Sequence, residues 1–200
     1  MNFNLKTTFL FTLALLSIPE IVFKEVKKMS KNEYETVSEI NHTETHYISN
    51  YQFERGYEEA IEFIKKHEGY ANGEMYYDAA GNRTIGYGHK IKSDEEFPER
   101  ISQQEAENLL KKDFDKAIWH VEKATNLKGY KKIAIAHFIY ARGVGNFLKS
   151  NLRNKIITGE PIEQELLRWV YYKSVNGELV ESGYIKKIRL WEISMYNRES

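Results

Sequence analysis

Apolar residues first follow a clear helical spacing in the segment YEEAIEFIKKHEG, where Ala60, Phe63 and Ile64 fall on one face. Gly69 comes directly after this pattern, and glycine is the residue that most often follows the end of a helix. The pattern therefore predicts a helix that ends at Glu68. A carboxylate is unfavourable there, because the free carbonyl groups of a helix C-terminus carry partial negative charge. A residue that breaks a local rule is a candidate for function.

The next segment, EMYYDAAGNRTIGYGH, is typical of short strands joined by a turn. Its turn signal is Ala80-Gly81-Asn82. Residues that favour strands flank this turn on both sides: Tyr76, Tyr77, Thr84, Ile85 and Tyr87. The pattern predicts a small β-hairpin sheet, with Asp78 at the start of the turn.

Helical spacing returns in ISQQEAENLLKKDFDKAIWHVEKA, where Ser102 and Glu105 form a capping box. An apolar segment after Gly129 predicts a buried helix that ends at Gly143. Three further helices are predicted, over residues 150–157, 162–172 and 184–196. The expected fold class is α+β and mostly α, with a small β-hairpin lobe and a helical lobe joined by a long helix.

The N-terminal region differs from the rest of the chain. An apolar run over residues 9–18 is shorter than the ~20 apolar residues of a membrane span, and Pro19 and Glu20 interrupt it. We therefore predict that residues 1–23 are a signal peptide or an N-terminal hydrophobic anchor, and that the protein is exported. The domain expected to carry the function covers residues 53–200.

Residues 24–52 are polar and show neither helical nor strand periodicity, so we predict a solvated linker. His42 and His46 stand four residues apart, a spacing that suits a metal ion on a helix. No helical pattern and no third ligand support such a site here.

Composition excludes several classes of protein. Lys plus Arg equals Asp plus Glu at 29 each, so the net charge is zero, which argues against a nucleic-acid partner. The chain has no cysteine, which excludes disulfides, thiolate metal sites and a cysteine nucleophile. Nothing in the sequence implies a metal or an organic cofactor, and we expect a monomer.

The combined motif HEG…YYDAAGNRTIGYGH resembles the active-site signature of phage-type lysozymes (endolysins), glycoside hydrolase family twenty-four. The similarity continues through ISQQEAENLLKKDF, GVGNF and RWVYYKSVNGELVESGYIKK, and it spans roughly residues 53–200. It implies a lysozyme-like fold and cleavage of the glycan strands of bacterial peptidoglycan. Departures include one extra residue between Glu68 and Asp78, Tyr140-Ala141 in place of Phe-Asn, and Lys187-Ile188 in place of an arginine pair.

The resemblance assigns three catalytic roles: Glu68 as general acid, Asp78 as base or water-positioner, and Thr84 as water-binder. The chemistry agrees, because glycoside hydrolysis uses one carboxylic acid for the leaving oxygen and a second carboxylate for the water or the anomeric carbon. A glutamate at a helix end among apolar neighbours is expected to have a raised pKa, while a turn aspartate in contact with solvent stays ionised.

For several other residues the sequence favours a structural interpretation over a functional one. We predict that His89 supports the turn, that Lys187 and Arg189 are solvated charges on a helix face, and that Trp119 and Trp169 belong to the core. In the functional alternative, Lys187 or Arg189 neutralises the field near Glu68.

Two alternatives to a lysozyme remain open: a peptidoglycan-binding module without catalysis, and a lytic transglycosylase. A role in phage release, wall remodelling or attack on competitors is also left open, as is membrane association through the N-terminal segment.

Overall fold

The computed structural model describes residues 31–78, 81–174 and 176–198. The predicted signal or anchor over residues 1–23 lies outside the described residues. The chain divides into two compact units between Tyr47 and Ile48. All the residues that form and support the cleft described below belong to the second unit.

Helix α1 runs over Lys31–Glu68 and therefore ends at the predicted residue. Its N-terminal half corrects the expectation that residues 24–52 lack regular structure, at least for residues 31–52. The periodicity missed this part because its apolar residues do not form a single stripe. No glycine or proline occurs between Pro19 and Gly56, so nothing in the sequence interrupts a helix.

A three-stranded antiparallel sheet follows a single 3₁₀ turn at Ala71–Gly73. Its strands are β1 (Tyr76–Tyr77), β2 (Arg83–Ile85) and β3 (His89–Lys90). Thr84 lies in the central strand and pairs with Tyr76 on one side and Lys90 on the other. The predicted hairpin is confirmed, with one more strand than expected.

The remaining helices are α2 (Gln103–Ala124), α3 (Gly129–Arg142), α4 (Val144–Leu148), α5 (Asn151–Thr158), α6 (Glu163–Leu167) and α7 (Gly183–Tyr196). The capping box at the start of α2 is present, with Ser102 and Glu105 satisfying each other's backbone N–H groups. Gly143 follows α3 with a φ of 84°, a conformation that glycine adopts without strain. The α+β, mostly helical fold is confirmed.

The predicted helix over residues 162–172 is wrong at its C-terminal end. Helix α6 stops at Leu167, one 3₁₀ turn follows, and Tyr171–Lys173 then form strand β4. This strand pairs with β5 (Leu179–Glu181) in a second hairpin. The signal was present in the sequence, because Asn-Gly is a frequent hairpin turn and Gly177 has a φ of 81°.

The core lies where α2, α3 and α7 pack together, with α3 in the middle. Residues of α3 between Ile133 and Ile139 are all buried. Trp169 is half-buried against this core, as predicted, but Trp119 is 52 % exposed and lies on the surface of α2. Among the described residues, no helix combines the length and the hydropathy that crossing a membrane requires.

Candidate active site

Glu68, Asp78 and Thr84, the three residues predicted from the sequence, line one cleft between the three-stranded sheet and the helices. Glu68 reaches it from the end of α1, and Asp78 and Thr84 reach it from the sheet. Helix α2 adds Asp113 and Lys116 to the wall. The fold therefore brings together two carboxyl groups that belong to different elements.

Glu68 is the last residue of α1 and is open to the cleft. The turn between β2 and β3 passes directly over its carboxyl group: a Cβ atom at Gly88 would lie 3.5 Å from Glu68 Oε2. The hydroxyl of Tyr140 on α3 donates to the carbonyl oxygen of Tyr87 over 2.6 Å and holds this turn in place. The absence of a side chain at position 88 keeps the approach to the glutamate open.

The pKa of Glu68 is raised above its ordinary value because the surrounding protein desolvates the carboxylate, while the nearby His137 and His67 oppose this rise. The direction agrees with the expectation from the sequence. A carboxyl group in this setting keeps its proton to higher pH than a solvated one, as a general acid requires.

Asp78 has a polar setting. Its Oδ1 accepts from the backbone N–H of Asn82 over 2.8 Å, and the Asn82 side-chain amide donates to Oδ1 and Oδ2 over 3.1 and 2.8 Å. The ammonium group of Lys90 lies 3.4 Å from Oδ2. Donors and a cation of this kind suit a carboxylate that works in its ionised form.

Thr84 is 2 % exposed, and its hydroxyl donates to the carbonyl oxygen of Asn82 over 3.0 Å. The lone pairs of the Thr84 hydroxyl oxygen stay available to accept a hydrogen from water. Asn82 thus connects the two predicted residues, since it donates to Asp78 and accepts from Thr84.

Tyr76 lies within the fields of both carboxyl groups. Burial raises its pKa, and the charges of Glu68 and then Asp78 raise it further. The phenol remains neutral as a result and can donate a hydrogen bond within the cleft.

His89 was predicted to support the turn, and its contacts join the sheet to α2. Its Nδ1 lies 2.6 Å from Asp113 Oδ2 on α2, and its Nε2 lies 3.0 Å from Glu95 Oε2. Burial alone would lower its pKa, but the hydrogen bonds and charges of Asp113 and Glu95 outweigh burial and raise it. The imidazolium therefore joins β3 to α2 at the cleft.

Arg189 is not the solvated charge that the sequence suggested. It is 1 % exposed, and its Nη1 donates to Glu192 Oε2 over 2.6 Å. The other oxygen of Glu192 lies 2.6 Å from His137 Nδ1 on α3, and Glu192 itself has no exposed surface. The three residues form a buried ionic cluster, because the (i, i+3) spacing turns both charges of α7 toward α3. Lys187 is exposed, as predicted.

Sequence reasoning missed Asn82, Lys90 and Tyr140 as parts of the site. Asn82 was interpreted only as a turn residue. The alternation of side chains along a strand offered a signal for Lys90, since it pairs directly with Thr84 across the sheet. Tyr140 carried no signal, because its hydrogen-bond acceptor is 53 residues away in the sequence.

Comparison with known proteins adds to this geometry. The family model for phage lysozyme matches residues 65–187, which is more than half of the chain. The probable T4-type lysozyme 2 of Dictyostelium discoideum is 30% identical in an alignment 112 residues long, and the match covers 42% of this chain and 66% of that protein.

Solved structures show the same fold. An endolysin from Escherichia coli O157:H7 phage FAHEc1 is 27% identical, with a TM-score of 0.59 over 69% of this chain and 90% of the endolysin. The muramidase domain of SpmX from Asticaccaulis excentricus is 22% identical, with a TM-score of 0.62 over 70% of this chain and 95% of that domain.

A two-lobed α+β fold with paired carboxyl groups in the cleft defines a lysozyme-like protein. The match over residues 65–187 makes the assignment more specific, and the chain belongs to the phage lysozyme family.

Proposed function

We propose that this protein is a lysozyme (muramidase) that hydrolyses the β-1,4 bond between N-acetylmuramic acid and N-acetylglucosamine in bacterial peptidoglycan. The observation that carries the proposal is the pair of opposed environments in one cleft. The pKa of Glu68 is raised by desolvation, whereas Asp78 is held by three hydrogen bonds from Asn82 and by the charge of Lys90. Family membership supports the same activity.

In the proposed reaction, Glu68 donates its proton to the glycosidic oxygen as the bond to the anomeric carbon breaks. Asp78 accepts a proton from a water molecule, and the water oxygen forms the new bond to that carbon. The Thr84 hydroxyl oxygen accepts a hydrogen bond from the other hydrogen of this water and helps to orient the water. The two protons balance: Asp78 gains one and Glu68 loses one, and exchange with solvent restores both.

The raised pKa predicts the pH dependence of the reaction. Glu68 is active only while protonated, so activity falls as pH rises through its pKa, which lies above the ordinary value of 4.5. A glycan strand in the cleft excludes water and strengthens this desolvation. The decline of kcat on the alkaline side therefore comes at higher pH than the decline of kcat/KM.

Glu68→Gln tests the proposal. Glutamine keeps the shape and hydrogen-bonding ability of the protonated acid but cannot give up a proton, so lysis falls by about 10²–10⁴-fold or more. Binding to peptidoglycan and the thermal midpoint stay close to wild type. The control is Glu58→Gln, which removes an exposed carboxylate from the same helix. If a folded Glu68→Gln protein clears peptidoglycan at the wild-type rate, Glu68 has no part in the reaction.

Product analysis separates this proposal from its alternatives. Mass spectrometry of released muropeptides shows reducing ends for a hydrolase and anhydro ends for a lytic transglycosylase, and a binding module releases nothing. A water activated by Asp78 also predicts inversion at the anomeric carbon, with the two carboxyl groups about 6.5–9.5 Å apart. Proton NMR of fresh product reads the anomer directly.

We also propose that residues 1–23 direct export of the protein or anchor it at a membrane, since peptidoglycan lies outside the cytoplasmic membrane. The support is the apolar run over residues 9–18 and its interruption by Pro19. A reporter fused to residues 1–29 leaves the cytoplasm under this proposal, and a reporter with an Asp in the apolar run does not. The protein acts as a monomer in this scheme, because one chain supplies the whole cleft.

A further inference from the structure

The last turn of α1, which ends at Glu68, is held by a residue far along the chain. The hydroxyl of Tyr184, in the first turn of α7, donates to the carbonyl oxygen of His67 over 2.7 Å. The last four carbonyl groups of a helix have no partner within the helix, so this bond supplies one from outside. The carbonyl group that it fixes belongs to the peptide bond joining His67 to Glu68.

Ring contacts reinforce this hydrogen bond. The ring of Trp191 stacks on Phe63 with centroids 4.0 Å apart, and Phe63 stacks on His67 at 3.9 Å. The ring of Tyr184 also contacts this set, with its centroid 5.9 Å from that of the His67 ring. Tyr184 and Trp191 are seven residues apart, so they lie on one face of α7, two turns from each other. That face covers the end of α1.

The buried ionic cluster fixes α7 in this position. Glu192 joins Arg189 to His137 on α3 through two contacts of 2.6 Å, and the cluster is closed to solvent. Sliding α7 by one turn would break the contact between Glu192 and His137 and leave a buried carboxylate oxygen without that partner, which is unfavourable. The hydroxyl of Tyr184 is therefore held at one place relative to α1.

We propose that Tyr184 is a positioning residue for the general acid: its hydroxyl fixes the final peptide group of α1 and thereby the direction in which the Glu68 carboxyl enters the cleft. This proposal rests on the proposed function of Glu68. Tyr184 contacts the backbone and not the reacting atoms, so it acts through Glu68. The charge of Glu68 helps to raise the pKa of Tyr184, after burial, which agrees with their closeness.

Removal of the hydroxyl has an electrostatic consequence as well. The O–H dipole points its positive end at a carbonyl oxygen of a helix C-terminus, where partial negative charge accumulates. Without it the site beside Glu68 becomes more negative and favours the protonated carboxyl. Titratable and charged groups act on Glu68 or line its cleft from every element around it: His67 on α1; Tyr76, Asp78, His89, Lys90 and Lys92 on and beside the sheet; Asp113, Lys116 and His120 on α2; His137 and Tyr140 on α3; and Tyr184 on α7. The variant must leave all of these except Tyr184 unchanged.

Tyr184→Phe makes that change with the ring retained. We expect kcat for peptidoglycan to fall about tenfold, because a small misplacement of a catalytic group costs one to two orders of magnitude. KM stays close to wild type, and the alkaline limb of the rate profile moves to higher pH. The matched control is Tyr172→Phe, since Tyr172 is 49 % exposed against 50 % for Tyr184 and its hydroxyl makes no hydrogen bond to the described residues. The control keeps the wild-type kcat and pH profile.

A second readout does not depend on activity. NMR titration of the ¹³C-labelled Glu68 carboxyl gives a higher pKa in Tyr184→Phe than in wild type, and an unchanged pKa in Tyr172→Phe. This measurement tests the positioning role even if the protein hydrolyses no peptidoglycan, an outcome that would remove the proposed function alone. A fall in thermal midpoint with unchanged kcat and unchanged Glu68 titration would overturn the proposal, because Tyr184 would then be structural only. A rise in KM with unchanged kcat would also overturn it, because Tyr184 would then bind the substrate.

Discussion

Glu68 and Asp78 face one cleft from surroundings of opposite kinds. Around Asp78 the chain supplies hydrogen-bond donors and a cation, all from residues 82–90. Around Glu68 it supplies aromatic rings from α1 and α7, the phenol of Tyr140 from α3, and the backbone turn at Gly88. One carboxyl group is therefore stabilised as an anion and the other is desolvated.

Under the proposed mechanism, this contrast explains how two chemically similar residues would take different roles. Polar neighbours favour the ionised form of Asp78, which suits a base. Protein atoms around Glu68 favour the neutral form, which suits an acid. In that mechanism, the two roles follow from what the fold packs against each carboxyl group and not from the choice of Asp or Glu.

Asp78→Asn is the strongest test of this contrast on the polar side. Asparagine has the size of aspartate but cannot accept the proton of the attacking water, so we expect hydrolysis to fall by about 10²–10⁴-fold. Turbidity clearing measures the loss, and circular dichroism checks the fold. If the two carboxyl groups act as a unit, the double variant with Glu68→Gln is hardly slower than the slower single variant. Additive losses would contradict a shared step.

Glu192→Gln tests the buried ionic cluster that holds α7 beside Glu68. Removal of one charge from a buried ion pair leaves Arg189 uncompensated, and such changes cost about 3–5 kcal/mol. We expect the thermal midpoint to fall by roughly 6–20 °C for a chain of this size. The matched control is Glu181→Gln. It removes the charge of the last residue of β5, which is the exposed ion-pair partner of Lys186 on α7. Equal losses in both variants would mean that burial of the cluster contributes nothing.

Asn82→Ala sharpens the contrast by loosening Asp78 alone. It removes the side-chain donor to both carboxylate oxygens and leaves the backbone N–H, so we expect kcat to fall about tenfold.

Lys90→Met gives a smaller loss, because Lys90 is exposed and solvent screens its charge. Lys92→Met is the control for Lys90, since it lines the same cleft but pairs with Glu95. A loss in Lys92→Met equal to that in Lys90→Met would count against a specific contact with Asp78.

The smallest expected effect concerns the pH dependence of stability at His89. The pKa of His89 in the folded state is raised above 6.5. Its contribution to the free energy of unfolding is therefore complete below that pH and is lost as pH rises through the raised pKa. Urea unfolding of the wild type between about pH 5 and 9 measures the slope of the free energy of unfolding against pH. Asp113→Asn removes the closer partner and flattens the slope over the same interval. An unchanged slope would show that other groups cause the pH dependence.

Local patterns predicted much of the fold and the identity of the central site residues. The end of α1 at Glu68 followed from Gly69, the start of α2 followed from the Ser102–Glu105 capping box, and the hairpin around Gly81 followed from its turn residues. These features depend on neighbours within a few positions, so periodicity and turn chemistry are sufficient to find them. The second hairpin was missed although its Asn-Gly turn was readable, because the apolar residues before it also fit a helix.

Local sequence was sufficient to place Glu68, Asp78 and Thr84 in one candidate site, because they lie in one short motif whose spacing resembles that of a known family. The surroundings of Glu68, in contrast, depend on how distant parts of the chain pack together. Tyr184 donates to a carbonyl group 117 residues earlier in the chain, and Glu192 meets His137 across 55 residues. The same packing buried Arg189, which reads in the sequence as one more charge on a helix. Burial and electrostatics depend on which helix faces meet, and no local pattern specifies that meeting.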